Sequence, residues 1–218
     1  MLLAIETSTE ICSVAFRSVE GVVMEKRRIG RGVHSEELFL FIDELMHEEG
    51  LKTEALEAIL LSRGPGQYTG LRIGAAAVKG LLFGKERPFW TMGTLEGFAV
   101  GAFSVIEDSG KIHAVLDARR EHLYHQTLTV ENGQLAFGKA SIRRITEVEQ
   151  ELNEGDHLIG TGMERLSVYG QDAYTFHSSE KVTAVNLLRA WEDSRFRIRF
   201  RAEDPVQFEP DYLSGQAW

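Results

Sequence analysis

Gly64-Pro65-Gly66-Gln67-Tyr68-Thr69-Gly70 lies between a compact apolar run and a segment of helical periodicity. At such a strand-to-helix loop, free backbone N–H groups and the helix dipole favour an anion, so a phosphate site is chemically reasonable. The spacing departs from both standard nucleotide fingerprints. The dinucleotide pattern needs G-x-G-x-x-G, whereas the last gap here is three residues, and a P-loop needs Lys after its glycine, where this chain has Leu71. Glycines that serve only tight turning and close helix-to-sheet packing would give the same pattern, and spacing alone leaves the two readings level.

The next helix carries small residues on two ridges, Gly70 and Gly74 on one and Ala76, Gly80 and Gly84 on the other. Short side chains let another backbone approach closely, which suits packing on the helix's own sheet, docking of a partner helix, or both. Metal chemistry has little support. His122 and His125 are the one close histidine pair, and an offset of three on a strand points them to opposite faces; no H-E-x-x-H motif exists. Gly-x-Ser-x-Gly is also missing, so no nucleophilic triad is expected. Asp117-Ala118-Arg119-Arg120-Glu121 reads as a solvated turn or a binding corner. Arg195, Arg197, Arg199 and Arg201 alternate with Phe196, Ile198 and Phe200; as a strand this puts four arginines on one face, and a solvated edge strand is the favoured reading over nucleic-acid contact.

Positioning these residues requires an α/β chain. Leu2 to Glu6, Cys12 to Arg17 and Val22 to Ile29 read as a β-meander. Leu38, Phe41, Ile42, Leu45 and Met46 mark an amphipathic helix after Ser35, with Gly50 beyond its end. Ala58 to Leu61 is a strand, Leu71 to Phe83 a helix, Phe89 to Met92 a strand, and Thr94 to Val105 a helix. After a boundary at Asp108-Ser109-Gly110 come strands at Ile112 to Leu116, Leu123 to Val130 and Leu135 to Phe137, with Asn132-Gly133 as a hairpin turn. Ile145 to Leu152 reads as a short helix, His157 to Ile159 as a strand entering Gly160-Thr161-Gly162, and Val182 to Trp191 as a helix capped near Thr183. Two lobes are expected, 1–108 and 109–218, the second with last residues that return to the first. A meander followed by helices in each hints at duplication.

With 218 residues, 43% hydrophobic, the chain can bury one large core or two modest ones. Its apolar stretches fall short of the roughly 20 residues of a membrane span, and Leu2-Leu3-Ala4-Ile5-Glu6 lacks the basic region of a secretory signal, so a cytoplasmic protein is expected. The single cysteine, Cys12, excludes an intrachain disulfide and reads as a buried, inert thiol. A net charge of −9 is opposite to that of a protein gripping phosphate backbones unaided, so any work on nucleic acid is expected to be indirect.

Ser62 to Gly74, with Ala75 to Gly80 behind it, closely resembles the signature segment of the TsaB, or YeaZ-like, family. The likeness extends to Ile5-Glu6-Thr7-Ser8-Thr9 with Cys12 to Ala15, to His34-Ser35-Glu36, to Asp117-Ala118-Arg119-Arg120 with Tyr124, and to Glu209-Pro210 with Tyr212-Leu213. The resemblance implies an actin-like, two-lobed ATPase fold and a non-catalytic paralogue of TsaD, the subunit that transfers a threonylcarbamoyl group to adenosine beside the tRNA anticodon. TsaD holds its metal through two histidines, and this chain has only His34 in that region. By the same likeness the chain pairs with a TsaD-type subunit, or with itself in isolation, through the helix after the glycine loop. Gly70, Arg72, Ile73, Gly74, Ala77, Gly80 and Leu81 are the expected contact residues, and a bulky residue at Gly74 is expected to block assembly without unfolding. A TsaE-type ATPase joins the assembly, ATP or ADP is expected only at a subunit interface, and tRNA contact falls mainly to TsaD.

The competing reading is a nucleotide-dependent phosphotransferase of the same superfold. Thr7, Ser8, Thr9, Gly64, Gly66, Thr69, Gly160 and Gly162 would cradle phosphates, and Glu6 and Asp117 would hold magnesium. A glycoprotease-like hydrolase needs a metal or activated nucleophile that the sequence does not display.

Overall fold

The computed structural model describes residues 1–48, 50, 53–103, 105, 106 and 109–213. Strands β1 (Leu2–Glu6), β2 (Ile11–Arg17) and β3 (Val23–Ile29) form the antiparallel meander. Helix α1 (Val33–Glu48) comes next, burying Leu38, Phe41, Ile42, Leu45 and Met46 at the spacing of a single helical face. Strand β4 (Ala58–Ser62) is buried along its whole length, as a central parallel strand with both faces covered must be, and pairs with β1. Then come α2 (Tyr68–Leu81), β5 (Phe89–Met92), which pairs parallel to β4, and α3 (Thr94–Phe103).

The remainder is β6 (Ser109–Asp117), β7 (His122–Glu131), β8 (Gln134–Phe137), β9 (Ser141–Arg144), α4 (Ile145–Glu149), β10 (His157–Ile159), β11 (Thr175–His177), α5 (Val185–Glu192), α6 (Ser194–Arg197) and β12 (Arg201–Ala202). Asn132 and Gly133 both have positive φ, 51° and 74°, the backbone that a two-residue hairpin requires between β7 and β8. The helix expected over Ile145 to Leu152 stops at Glu149, because Glu151 N–H and Leu152 N–H donate three residues back, to Val148 and Glu149, in a tighter turn.

One sheet has the order β12-β5-β4-β1-β2-β3 and the other β11-β10-β6-β7-β8, with β9 beside β7. Leaving aside β12 and β9, each sheet is an antiparallel meander whose first strand pairs in parallel with the fourth, and the fourth with the fifth. The duplication suggested by the sequence is thus a duplication of topology. The chain divides into two compact units: Met1–Thr94 with Thr183–Tyr212, and a second built on Leu95–Val182. The sequence places the boundary after α3, at Asp108, which lies outside the described residues; the units divide before Leu95, so α3 belongs with the second.

The segment Arg195 to Arg201 is not the strand that its alternation suggests. The Asp193 side chain accepts a hydrogen bond from Arg195 N–H and starts α6, and Phe196 and Phe200, four residues apart, turn to the same buried side. Ile198, between them, is 81% exposed. Only Arg201–Ala202 pairs, antiparallel to β5. The Asp193 cap, which lies outside the alternation, selects the helical turn, and the exposure of Ile198 follows from it.

The second unit buries a chain of polar groups. His125 on β7 and His113 on β6 share one face of the sheet, with His113 Nδ1 3.0 Å from His125 Nε2 and His113 Nε2 3.0 Å from Asp156 Oδ2. Neutral rings satisfy the series if His125 donates to His113 and His113 donates to Asp156, which also accepts from Asn153 N–H at 2.8 Å. His157 and His177 stack nearby in sequence, 3.0 Å apart through ring nitrogens. Burial holds His113 below the ordinary histidine range against the pull of Asp156, and pushes His125 and His177 down to about 4, the neighbouring histidine adding to the effect in each case. A depressed folded-state value means that the stabilisation is complete above pH ~6.5 and is lost as pH falls toward 4. Urea unfolding of the wild type between pH 7.5 and 4.5 is therefore expected to show falling stability, and the His125→Gln variant a shallower fall over the same window.

Candidate functional site

The end of β1 and the loop after β4 meet in one corner of the first unit. Glu6 is buried, and its carboxylate accepts from Ser8 N–H at 2.7 Å, from the Ser8 hydroxyl and from the Ser62 hydroxyl. Burial raises the Glu6 pKa, and the hydrogen bonds from Ser62 and Ser8 oppose that rise. Thr9 Oγ1 accepts from Ile11 N–H at 3.1 Å, and His34, at the start of α1, lies with Nε2 3.3 Å from the Ile11 carbonyl oxygen. Burial keeps His34 below the ordinary histidine value. Thr7, Ser8 and Thr9 are all closed off from solvent.

The glycine loop covers this turn. Gln67 N–H donates to the Ser8 carbonyl at 2.7 Å. A Cβ on Gly66 would overlap that same oxygen, one on Gly70 would overlap the Thr7 carbonyl oxygen, and one on Gly74 would overlap Thr7 Oγ1 and stand 3.2 Å from Leu61 Cδ1. On the loop's other side, a Cβ on Gly64 would overlap the Asp211 carbonyl oxygen. The structure thus gathers Thr7, Ser8, Thr9, Gly64, Gly66 and Thr69, with backbone atoms where side chains at Gly64 and Gly66 would lie, and of the six only Thr69 is exposed. Gly160 and Gly162 are second-unit residues. There a Cβ on Gly160 would overlap the Val115 carbonyl oxygen, and one on Gly162 would lie 2.9 Å from Leu123 Cδ2. Asp117, the other proposed magnesium ligand, accepts from Arg165 and from Arg119 N–H.

The faces of α2 are now fixed. Gly70, Gly74 and Ala77 point into the first unit's own core and are corrected from contact residues to packing residues; Leu at position 74 would disrupt the fold before it tested assembly. Ile73 and Leu81 are half-buried, and Arg72, Ala76, Lys79 and Gly80 are exposed. Space around Gly80 is open, and Phe83, just past the helix, is 86% exposed. On α1, Phe39 and Leu40 are 54% and 55% exposed. Sequence reasoning passes over them, although they are apolar residues on the polar side of an otherwise regular amphipathic pattern.

The segment 203–212, among the last residues expected to return to the first lobe, runs back over α2. Phe208 is buried edge-on against Phe89 with ring centroids 5.1 Å apart, and Tyr212 lies 5.2 Å from the Tyr68 ring. Arg72 stands 4.3 Å over Tyr68 and donates to the Tyr212 hydroxyl at 3.4 Å, while Lys79 donates to the Val206 carbonyl at 3.1 Å. Arg63, almost fully buried, donates to Asp211 at 2.9 Å, and Asp211 N–H donates to the Arg63 carbonyl at 2.7 Å. Between this segment and α2 is a groove of about 350 Å³, lined by Arg72, Ala76, Lys79, Glu209 and Pro210 among others.

Comparison with known proteins agrees with this geometry. A family model described as TsaD, tRNA N6-adenosine threonylcarbamoyltransferase, matches residues 26–192. The chain is 30% identical to the tRNA threonylcarbamoyladenosine biosynthesis protein TsaB of Haemophilus influenzae, over 99% of this chain and 94% of that one. YeaZ from Pseudomonas aeruginosa superposes with a TM-score of 0.78 at 28% identity, covering 97% of this chain and 99% of that one.

The chain belongs to the TsaB, or YeaZ-like, family.

Its fold is accordingly that of the YeaZ structure, an α/β architecture with the same mixed sheet in each lobe. A TsaD-type transferase of Thermus thermophilus is 28% identical over 71% of this chain but only 52% of its own length. Among the described residues no helix is long and apolar enough to cross a membrane, and no cluster of three or more histidine, cysteine or acidic side chains is arranged to hold a metal ion.

The two ends of α2 predict opposite outcomes for one substitution. Gly70→Ala is expected to cost about 2–3 kcal/mol through overlap with the Thr7 backbone. Gly80→Ala is expected to stabilise by about 0.5–1 kcal/mol by removing the glycine entropy penalty in an open helical position. Denaturant titration of the two variants measures both.

Proposed function

We propose that the chain acts in tRNA threonylcarbamoyladenosine biosynthesis as a non-catalytic subunit that docks on, and supports, a TsaD-type transferase. The observation that carries this reading is the outer face of α2, where Ala76 and Gly80 leave room for another helix and Arg72, Lys79 and Phe83 frame the approach. Phe39 and Leu40 on α1 extend it with the kind of apolar surface that partners bury. Family membership supports the pathway, since the relatives' names place them in it.

The same face serves self-association when the transferase is missing, so addition of the transferase is expected to convert homodimer into heterodimer rather than bind alongside it. A TsaE-type ATPase joins this assembly, with ATP or ADP at a subunit interface. The phosphotransferase alternative requires a Glu6 carboxylate directed at magnesium; here that carboxylate accepts from Ser8 and Ser62, which supports a subunit over a kinase.

Phe83→Asp and Gly80→Trp test the proposal, because neither position touches the core. Both variants are expected to keep wild-type unfolding midpoints within about 0.5 kcal/mol while losing at least about tenfold in affinity for the transferase, as a 1.4 kcal/mol interface contribution requires. Isothermal titration and reconstituted tRNA modification read the two effects. Wild-type affinity in both variants would refute the proposed face.

A further inference from the structure

The alternating arginine segment, displaced from its expected strand, is not used by the docking face. Within Arg189 to Arg201, five arginines stand against Glu192 and Asp193, in a chain whose overall net charge is −9. Phe196 and Phe200 sink into the first unit and thereby turn Arg195, Arg197, Ile198 and Arg201 outward. Glu192 pairs with Arg17, and Asp193 with Arg195. Arg201 is 62% exposed, with Asp211 at 3.8 Å as a distant partner.

The aromatic surroundings are as specific as the charge. Arg197 stacks over the Trp191 ring, its guanidinium carbon 4.4 Å from the centroid, and Trp191 is supported by Trp90 at 5.2 Å and by Phe200 at 5.1 Å, edge to face. The result is a cluster of tilted and edge-on rings capped by the exposed Arg197 guanidinium, with cationic groups beside it and an exposed isoleucine next to it. Phosphate groups satisfy the charge and an unstacked base can lie on the outer face of the Arg197 guanidinium, which together describe RNA with looped or single-stranded bases.

We infer that the Arg195–Arg201 turn, with Trp191, is a contact surface for the tRNA on which the assembly acts. This rests on the proposed role in tRNA modification and changes one part of it, since the chain then touches tRNA directly as well as through its partner. The turn is continuous with the docking side of the unit: Arg201 leads into the segment 203–212, whose Asp211 is held by Arg63 and whose Tyr212 lies on α2. A tRNA held by a transferase on that side needs only to extend along the same segment.

The test is the double variant Arg197→Glu, Arg201→Glu, with Arg197→Gln, Arg201→Gln as a milder companion, each assembled with the transferase. Co-elution reads the docking proposal, and filter binding of unmodified tRNA over a series of salt concentrations reads this one. The expected result is unchanged co-elution, a loss of about tenfold in tRNA affinity for the Glu pair, and a salt dependence shallower by about 1.5 in log–log slope for both pairs, as removal of two phosphate contacts requires. Should the Glu pair fail to fold, the Gln pair gives the same slope readout. Unchanged affinity and slope in a folded, assembled variant overturn the inference. So does loss of co-elution with tRNA binding intact, which would assign the arginines to an acidic protein surface.

Discussion

The first unit depends on one contact, the laying of α2 directly on the turn after β1. No side chain separates the helix at Gly70 and Gly74 from the backbone and hydroxyl of Thr7, and Gly66 lies equally close to Ser8. Because backbone meets backbone, the helix cannot rotate without forcing Leu71 or Ile73 into the same space. Everything outward-facing on α2 is therefore set by what glycine permits inward. The contact also explains the closed state of the β1–β2 turn: with the loop on top, Ser8 and Ser62 turn their hydroxyls to Glu6, and a buried carboxylate finds its donors within the fold.

The segment 203–212 finishes what the glycines begin. Its Arg63–Asp211 pair has one buried and one half-exposed partner, and an exposed ion pair contributes only about 0.2–1 kcal/mol. Burial of Phe208 against Phe89 stabilises more, of order 1.5–3 kcal/mol for a fully buried aromatic. The ion pair instead fixes register, since it places Asp211 over Gly64 and Tyr212 over Tyr68. One wall of the groove beside α2 thus comes from residues more than a hundred positions later in the chain.

That distance in sequence marks what is and is not legible in advance. The meander, α1, the strand–loop–helix unit and the Asn132-Gly133 hairpin are legible because each is encoded by local periodicity or turn chemistry. The glycine loop is legible as a site for close approach, but spacing does not say which backbone approaches, and so Gly74 and Ala77 read as partner-facing. Nothing local distinguishes a glycine that admits its own sheet from one that admits another chain. The arginine segment misleads for a different reason: Phe196 and Phe200 fit both periods, and the Asp193 cap that selects the helical one lies outside the alternation. Phe208 and Tyr212 carry a weak signal as isolated aromatics in a polar tail, and the histidine series none, because His113, His125 and Asp156 come together only when β6, β7 and β10 pair.

The two units show how one device is put to two uses. In each, a glycine loop after the fourth strand leans on the end of the first: Gly66 and Gly70 on Thr7 and Ser8, Gly160 and Gly162 on Val115 and Leu116. The element behind the loop differs. In the first unit it is a helix of 14 residues with an open outer face. In the second it is a single 3-10 turn, Met163–Arg165, whose Met163 joins the core and whose Arg165 reaches back to Asp117. A short turn tied to its own hairpin has no surface to offer another helix. Duplication therefore supplies the same closed corner twice, with a 14-residue helix behind the first loop and a single turn behind the second.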